Sequence, residues 1–250
     1  MKKLLSILAI AAILNFFTAT HVFAASWVVF ENFDSLVDGA GLVGTGDGTG
    51  WSGNWLDHSS GTNWQSVTAP AGGQGCLAAF TTTGASMIKR DFAASISAST
   101  VHFEFYLSDS TAANRYDVAF FTAADGARFG VEMNAGGAGG GALSVNATDF
   151  SSFVADTGFD YVLNAWNDID VKFGHVAGKF AISVNGSAYS ADFTSTGSNT
   201  TIQRAFIASL DASSNGDFYV DDIGDVAGAT CSSGGSPDNG DYEWFWNLWI

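Results

Sequence analysis

From residue 76 onward, short runs alternate apolar and polar positions and are punctuated by Gly- and Asn-rich turns. Val101-His102-Phe103-Glu104-Phe105-Tyr106-Leu107 is the clearest. A period of two places Val101, Phe103, Phe105 and Leu107 on a core face and His102, Glu104 and Tyr106 on the opposite one. Ile169, Val171 and Phe173 form a second inward set against Asp168, Asp170 and Lys172. The pattern predicts strands over 27–33, 76–80, 86–92, 101–107, 116–121, 127–133, 142–145, 168–173, 179–185, 202–210 and 217–226. Asn185-Gly186 and Asn215-Gly216 supply the residues that a tight type I′ turn needs at positive φ. Residues 39–75, rich in Gly, Ser and Thr, read as one long loop, and 134–141 as a Gly/Ala connection. No run after residue 26 keeps a capped helical period, so the fold class is all-β, an antiparallel two-sheet sandwich.

The first 24 residues obey a different rule. Lys2 and Lys3 precede an apolar run from Leu4 to Phe17, and His21-Val22-Phe23-Ala24 offers small residues for cleavage. This is the form of a signal peptide, and the apolar run is shorter than the roughly 20 residues a membrane span needs. The expected organisation is a signal peptide at 1–24, a sandwich domain at 26–226, a flexible linker at 227–241 and an aromatic tail at 242–250. That tail, Tyr242-Glu243-Trp244-Phe245-Trp246-Asn247-Leu248-Trp249-Ile250, reads by default as a poorly packed tail or edge strand, with a docking peptide, an adhesive tip or the product of a truncated gene as alternatives. The expected location is the cell exterior or surface.

Charge then removes some partners. The formal net charge is −16, and cleavage after Ala24, which removes Lys2 and Lys3, takes it to −18. A chain this acidic repels phosphate backbones and anionic membrane surfaces, so nucleic acid is not an expected partner. No transmembrane span is expected after residue 24. In an oxidising compartment the two cysteines, Cys76 and Cys231, could form one disulfide or remain two buried thiols.

Three constellations carry chemistry. Phe30-Glu31-Asn32-Phe33-Asp34 and Phe218-Tyr219-Val220-Asp221-Asp222-Ile223 bracket the domain, which predicts that its first and last strands lie side by side. Trp51, Trp55 and Trp64, interleaved with Asn54 and Asp57, have the chemistry of a sugar platform: aromatic faces for the apolar side of a pyranose and polar partners for its hydroxyls. The alternative is that these tryptophans pin a long loop to the sandwich. Glu104 with His102 and Tyr106, and Glu132 with Arg128, are the polar-face groups that an enzyme would use.

The order of signals resembles the concanavalin A-like jelly roll in its laminin-G-like bacterial form. The resemblance rests on Tyr161-Val162-Leu163, Trp166-Asn167-Asp168-Ile169-Asp170-Val171, Phe180 to Gly186, Ile202 to Leu210 and Tyr219 to Ile223, together with the opening Phe30–Asp34 and Gly50-Trp51-Ser52-Gly53-Asn54-Trp55. It covers roughly residues 26–226. It implies a jelly-roll sandwich and a calcium ion joining the terminal strands, held here by Glu31, Asp34, Asp221 and Asp222. Laminarinase-like members use a Glu-x-Asp-x-(x)-Glu run, and the nearest stretch, Asn167 to Lys172, lacks both glutamates. The expected function is therefore a non-catalytic carbohydrate-binding sandwich. A glycoside hydrolase or lyase using Glu104 and Glu132 is the first alternative, and a structural or adhesion protein the second.

Overall fold

The computed structural model describes residues 29–33, 35–59, 64–68, 76–80, 85–97, 99–108, 115–122, 128–133, 142–146, 155–195, 201–210 and 218–225. The expected signal peptide, linker, aromatic tail and Asn215-Gly216 turn lie outside these residues, as do Asp34 and Cys231. Among the described residues every regular element is a strand: β1 Phe30–Glu31, β2 Leu56–Ser59, β3 Trp64–Thr68, β4 Cys76–Phe80, β5 Ser86–Ser97, β6 Thr100–Leu107, β7 Tyr116–Phe121, β8 Arg128–Met133, β9 Ala142–Asn146, β10 Ala155–Asp160, β11 Trp166–Phe173, β12 Lys179–Val184, β13 Phe193–Thr194, β14 Thr201–Ser209 and β15 Phe218–Asp225. No helix among these residues is long and apolar enough to cross a membrane.

The strands form two antiparallel sheets. The first has the order β13-β12-β11-β6-β15-β4-β3, with β1 added alongside β15, and the second has the order β10-β9-β8-β7-β14-β5-β2. The bracketing motifs do meet: Phe30 pairs with Gly224 and Glu31 with Ile223. The alternation in β6 and β11 acts as read, since Phe103, Phe105, Ile169 and Val171 are all fully buried in the inter-sheet core. Asn185 and Gly186 adopt φ of 50° and 71°, and the Ser187 amide donates to the Val184 carbonyl across them, as a type I′ turn requires.

The Asp221-Asp222-Ile223 run is a β-bulge. Asp221 pairs with Glu104 and Gly224 with His102, so three steps on β15 match two on β6. Asp222 takes φ of 49°, a left-handed conformation that Asp tolerates better than most residues. The extra residue lets both Val220 and Ile223 face the core while Asp221 faces out.

The segment 39–75 departs from its reading as one loop. β2 edges the second sheet and β3 edges the first. Neither carries a clean alternation of apolar residues, and β10, another strand absent from the sequence pattern, is interrupted by Gly158 at φ 73°. Between β1 and β2 the chain closes one end of the sandwich around a buried charge pair. Arg90 lies on the inward face of β5, in step with Ile88 and Phe92, and its guanidinium bonds to the Glu31 carboxylate on β1. Arg90 also donates to the carbonyls of Gly53 (2.7 Å) and Asp47 (2.8 Å). Glu31 further accepts from the Trp55 indole (3.2 Å), the Asp47 amide (3.1 Å) and the Phe33 amide (3.1 Å). Burial pushes the Glu31 carboxyl up and the Arg90 guanidinium down from their ordinary values, and each partner's charge opposes that drift in the other. A Cβ on Gly46 would lie 2.6 Å from the guanidinium carbon, so only glycine admits the arginine there.

Removing one partner of this pair strands a buried charge. Arg90→Met is expected to lower unfolding free energy by about 3–5 kcal/mol in urea titrations, and the double variant Glu31→Leu/Arg90→Met to recover much of that loss. Equal destabilisation by the single and double variants would refute the coupling.

Candidate functional site

The tryptophans proposed as a sugar platform are structural. Trp55 and Trp64 are 0% exposed and cannot stack on a ligand. Trp55 stacks on Phe33 (6.0 Å between centroids, 20°) and donates to Glu31. Trp64 packs edge-on against Phe218 (6.1 Å). Trp51 is half-buried: its ring lies under the Arg90 guanidinium at 4.8 Å and its indole donates to the Phe30 carbonyl at 3.0 Å. Asn54 and Asp57 are exposed, with the Asn54 amide donating to the Gly44 carbonyl, so they remain on the surface without an aromatic face between them.

Of the four bracketing carboxylates, Asp34 lies outside the described residues. Both Glu31 oxygens are occupied by the network described above. Asp221 faces outward beside Glu104, and Asp222 is buried in the bulge. Glu104 and Glu132, the catalytic alternative, do not converge. Each faces outward on its own sheet, and the core lies between sheets stacked about 10 Å apart. Glu132 sits opposite Asp117 on the second sheet, 3.9 Å from Arg115, with Gly130 leaving room for the Asp117 carboxylate. Both acids there are fully buried.

What the fold does assemble is a set of rows on the outer face of the first sheet. β11, β6 and β15 are neighbours, so residues distant in the chain stand side by side. Trp166, Tyr106 and Tyr219 make one row, in which Tyr106 contacts both partners at 5.8 Å between ring centroids. One pleat along, Asp168, Glu104 and Asp221 make an acidic row. One pleat further, His102 donates to or accepts from Asp170 through Nδ1 at 2.9 Å, with its Nε2 3.9 Å from Glu104.

The sequence reading had taken His102, Glu104 and Tyr106 as an exposed face, yet His102 is 2% and Glu104 6% exposed. Neighbouring rows and a turn enclose them. Asn185 accepts from the Asp168 amide and donates its own amide to the Asp168 carbonyl, both at 2.9 Å, which docks the turn on β11. Beyond it, Tyr189 is hydrogen-bonded with Thr100 and lies near Asp170 and His102, with Lys172 5.9 Å from its ring. Burial raises the Tyr189 hydroxyl above its ordinary value, with Asp170 adding to the rise. Asn167, fully buried behind the row, holds the preceding loop through Val162 and Ala165.

Asp168 is pushed up to about 6, first by burial and then by the Glu104 carboxylate, with Asp170 adding to this and His102 opposing it. A shared hydrogen bond with Glu104 contributes in the same direction. Trp166, Tyr219, Asp168 and Asp221 remain half-exposed, so the aromatic and acidic rows meet solvent together. A separate cavity of about 360 Å³, bordered by Val29, Ala93, Ile96, Ser99 and Asp225, has no aromatic lining.

No protein-family model matches the chain, and no curated protein matches it. Solved structures do. A carbohydrate-binding module, CBM66 from Bacillus subtilis, is 11% identical over 75% of this chain and 98% of its own, with a TM-score of 0.45. Lectin II from Ulex europaeus is 10% identical over 80% and 99%, with a TM-score of 0.49. Domain 4 of AbnA, an extracellular arabinanase from Geobacillus stearothermophilus solved with arabinotriose, is 15% identical over 83% and 95%, with a TM-score of 0.49. All three scores lie below 0.5, and it is the strand order described above that makes this chain an antiparallel two-sheet sandwich.

A group raised in the folded state binds its proton more tightly there than in the unfolded chain. Asp168 therefore favours folding below about pH 4, and that contribution is lost as pH rises through 6. Asp168→Asn is expected to raise the melting temperature at pH 8 by a few degrees, about 1 kcal/mol after solvent screening, and to leave it unchanged near pH 4. A variant effect that does not vary with pH would contradict this account.

Proposed function

We propose that this protein is an exported, non-catalytic carbohydrate-binding sandwich whose ligand lies across the outer face of the first sheet. The observation that carries the reading is the pair of partly exposed rings Trp166 and Tyr219, flanking the buried Tyr106, directly beside the acidic row Asp168–Glu104–Asp221. A pyranose has an apolar face edged by hydroxyls, and this surface offers rings for the first and carboxylate acceptors for the second. The rows stand on regular strands backed by a packed core, so the platform is held in place before a ligand arrives.

The hydrolase reading draws support from the same residues, because Asp168 and Glu104 are cross-strand neighbours and the Glu104 carboxylate helps raise Asp168. A retaining glycosidase separates its carboxyl groups by about 5–5.5 Å and an inverting one by more. A structural calcium is a further proposal. With Glu31 committed to Arg90, it would draw on Asp34 and Asp222, and EDTA would lower the melting temperature; an unchanged melting curve would remove it.

Trp166→Ala is expected to weaken binding to the best ligand on a glycan array by about tenfold or more while the circular dichroism spectrum stays native. Trp55→Ala should instead destabilise the domain by about 3–5 kcal/mol. Reducing-sugar release measured on the same ligand should stay at background. Full binding by Trp166→Ala would move the site elsewhere, and turnover abolished by Glu104→Gln would establish the hydrolase.

A further inference from the structure

The aromatic and acidic rows run across three strands, but β11 also carries an accessible stripe along its own length. Its outward residues Trp166, Asp168 and Asp170 are partly exposed and Lys172 is exposed, while the residues alternating with them are buried. Lys172 follows Trp166 by six positions on the same strand, so the stripe runs for about 20 Å at the rise of a regular strand. β11 pairs with β12 on one side and β6 on the other with no shift of register, so nothing bends the stripe along its course.

A second accessible ring stands at the far end from Trp166. The Asn185-Gly186 turn returns the chain beside β12, where the Ser190 amide donates to the Ile182 carbonyl at 2.8 Å. From there Tyr189 reaches across β11: its hydroxyl is hydrogen-bonded with Thr100 on β6, and the Lys172 ammonium stands 5.9 Å from its ring centre. Held at its backbone and at its hydroxyl, the ring is nevertheless 43% exposed. Such a ring offers apolar area to a ligand while losing little further freedom on binding.

Accepting the reading that the outer face of the first sheet binds sugar, we propose that Tyr189 is a second ring-stacking residue. The site then takes an extended, neutral oligosaccharide stretch lying along β11 from Trp166 to Tyr189, not a single terminal sugar. One pyranose covers one ring, and rings at the two ends of a stripe about 20 Å long are engaged together only by a chain of several units. Between them Asp168 and Asp170 accept from sugar hydroxyls and Lys172 donates to them. The same carboxylates lie along the path of the chain and repel uronates and sulfated sugars, and the formal net charge of −16 acts in the same sense.

The test titrates the full chain calorimetrically with dimers and hexamers of the cello-, laminari-, manno-, xylo- and arabino-oligosaccharide series, and with a galacturonate hexamer. At least one neutral series is expected to bind, its hexamer about tenfold or more tighter than its dimer, as one additional ring contact supplies. Tyr189→Ala and Trp166→Ala, each checked for a native melting curve, should both bring the hexamer down toward the dimer, since each leaves one ring. Tyr189→Phe keeps the ring and should keep the length dependence. The uronate should not bind. Equal affinity for dimer and hexamer, a hexamer unaffected by Tyr189→Ala, length dependence lost in Tyr189→Phe as well, or preference for the uronate overturns this inference and leaves the sugar-binding reading standing. Silence of all these probes with binding elsewhere on a glycan array does the same. Absence of binding to any glycan, on these probes or on the array, overturns the underlying reading too.

Discussion

The Glu31–Arg90 pair is the constraint around which the described part of the molecule closes. It joins β1 of the first sheet to β5 of the second across the space between them. Backbone bridges from Phe30 to Thr49 and from Trp51 to Phe92 fasten the same end around it. Two charges withdrawn from water are tolerated because both Glu31 oxygens and the Nε and Nη1 groups of Arg90 are hydrogen-bonded. Glu31 receives two amides and an indole besides the guanidinium, and Arg90 reaches two carbonyls besides the carboxylate. A buried ion pair of this kind contributes little net stability compared with a hydrophobic replacement, but it punishes misplacement strongly. Here it fixes the path of residues 33–55. Phe33 sits at φ of 58°, strained for a bulky residue, with its amide bound by Glu31 and its ring on Trp55.

That network also explains why the tryptophans misled the sequence reading. Trp51 and Trp55 occur in a loop with Asn, Asp and Ser, a composition shared by sugar platforms and by loops that need anchoring. The difference lies in a partner 35 residues or more along the chain. Arg90 in Ser86–Phe92 looks like one polar residue in an alternating strand, and nothing local shows that it points into the core. Local periodicity was legible wherever the core face is uniformly apolar: β6, β11 and the Asn185-Gly186 turn came through. β3 and β10 did not, since one lies in a Gly-rich stretch and the other is broken by Gly158 at positive φ.

The site was legible by residue and not by grouping. His102, Glu104 and Tyr106 could be placed on one face from alternation alone. Their neighbours could not, because the strands beside β6 are β11 and β15, not the next in the chain. That order puts Glu132 on the far sheet and brings in Trp166, Tyr219, Asp168 and Asp221. The bulge at Asp222 matters for the same reason. It keeps Asp221 facing outward while Val220 and Ile223 both stay in the core, so the acidic row extends across three strands.

The two charged clusters, one at each surface of the first sheet, differ in a way that separates fastening from function. Around Glu31 the charges alternate in sign and the acceptors are filled. Around Glu104 three carboxylates stand in one row across β11, β6 and β15, and Asp168 is pushed up to about 6, first by burial and then by the Glu104 carboxylate. The row points away from the core, yet Glu104 within it is 6% exposed, so its carboxylate is held in a packed setting rather than in open solvent. Trp166 and Tyr219 stand beside that row with Tyr106 between them, so the strand order alone brings aromatic and acidic residues from three distant segments onto one face of the first sheet.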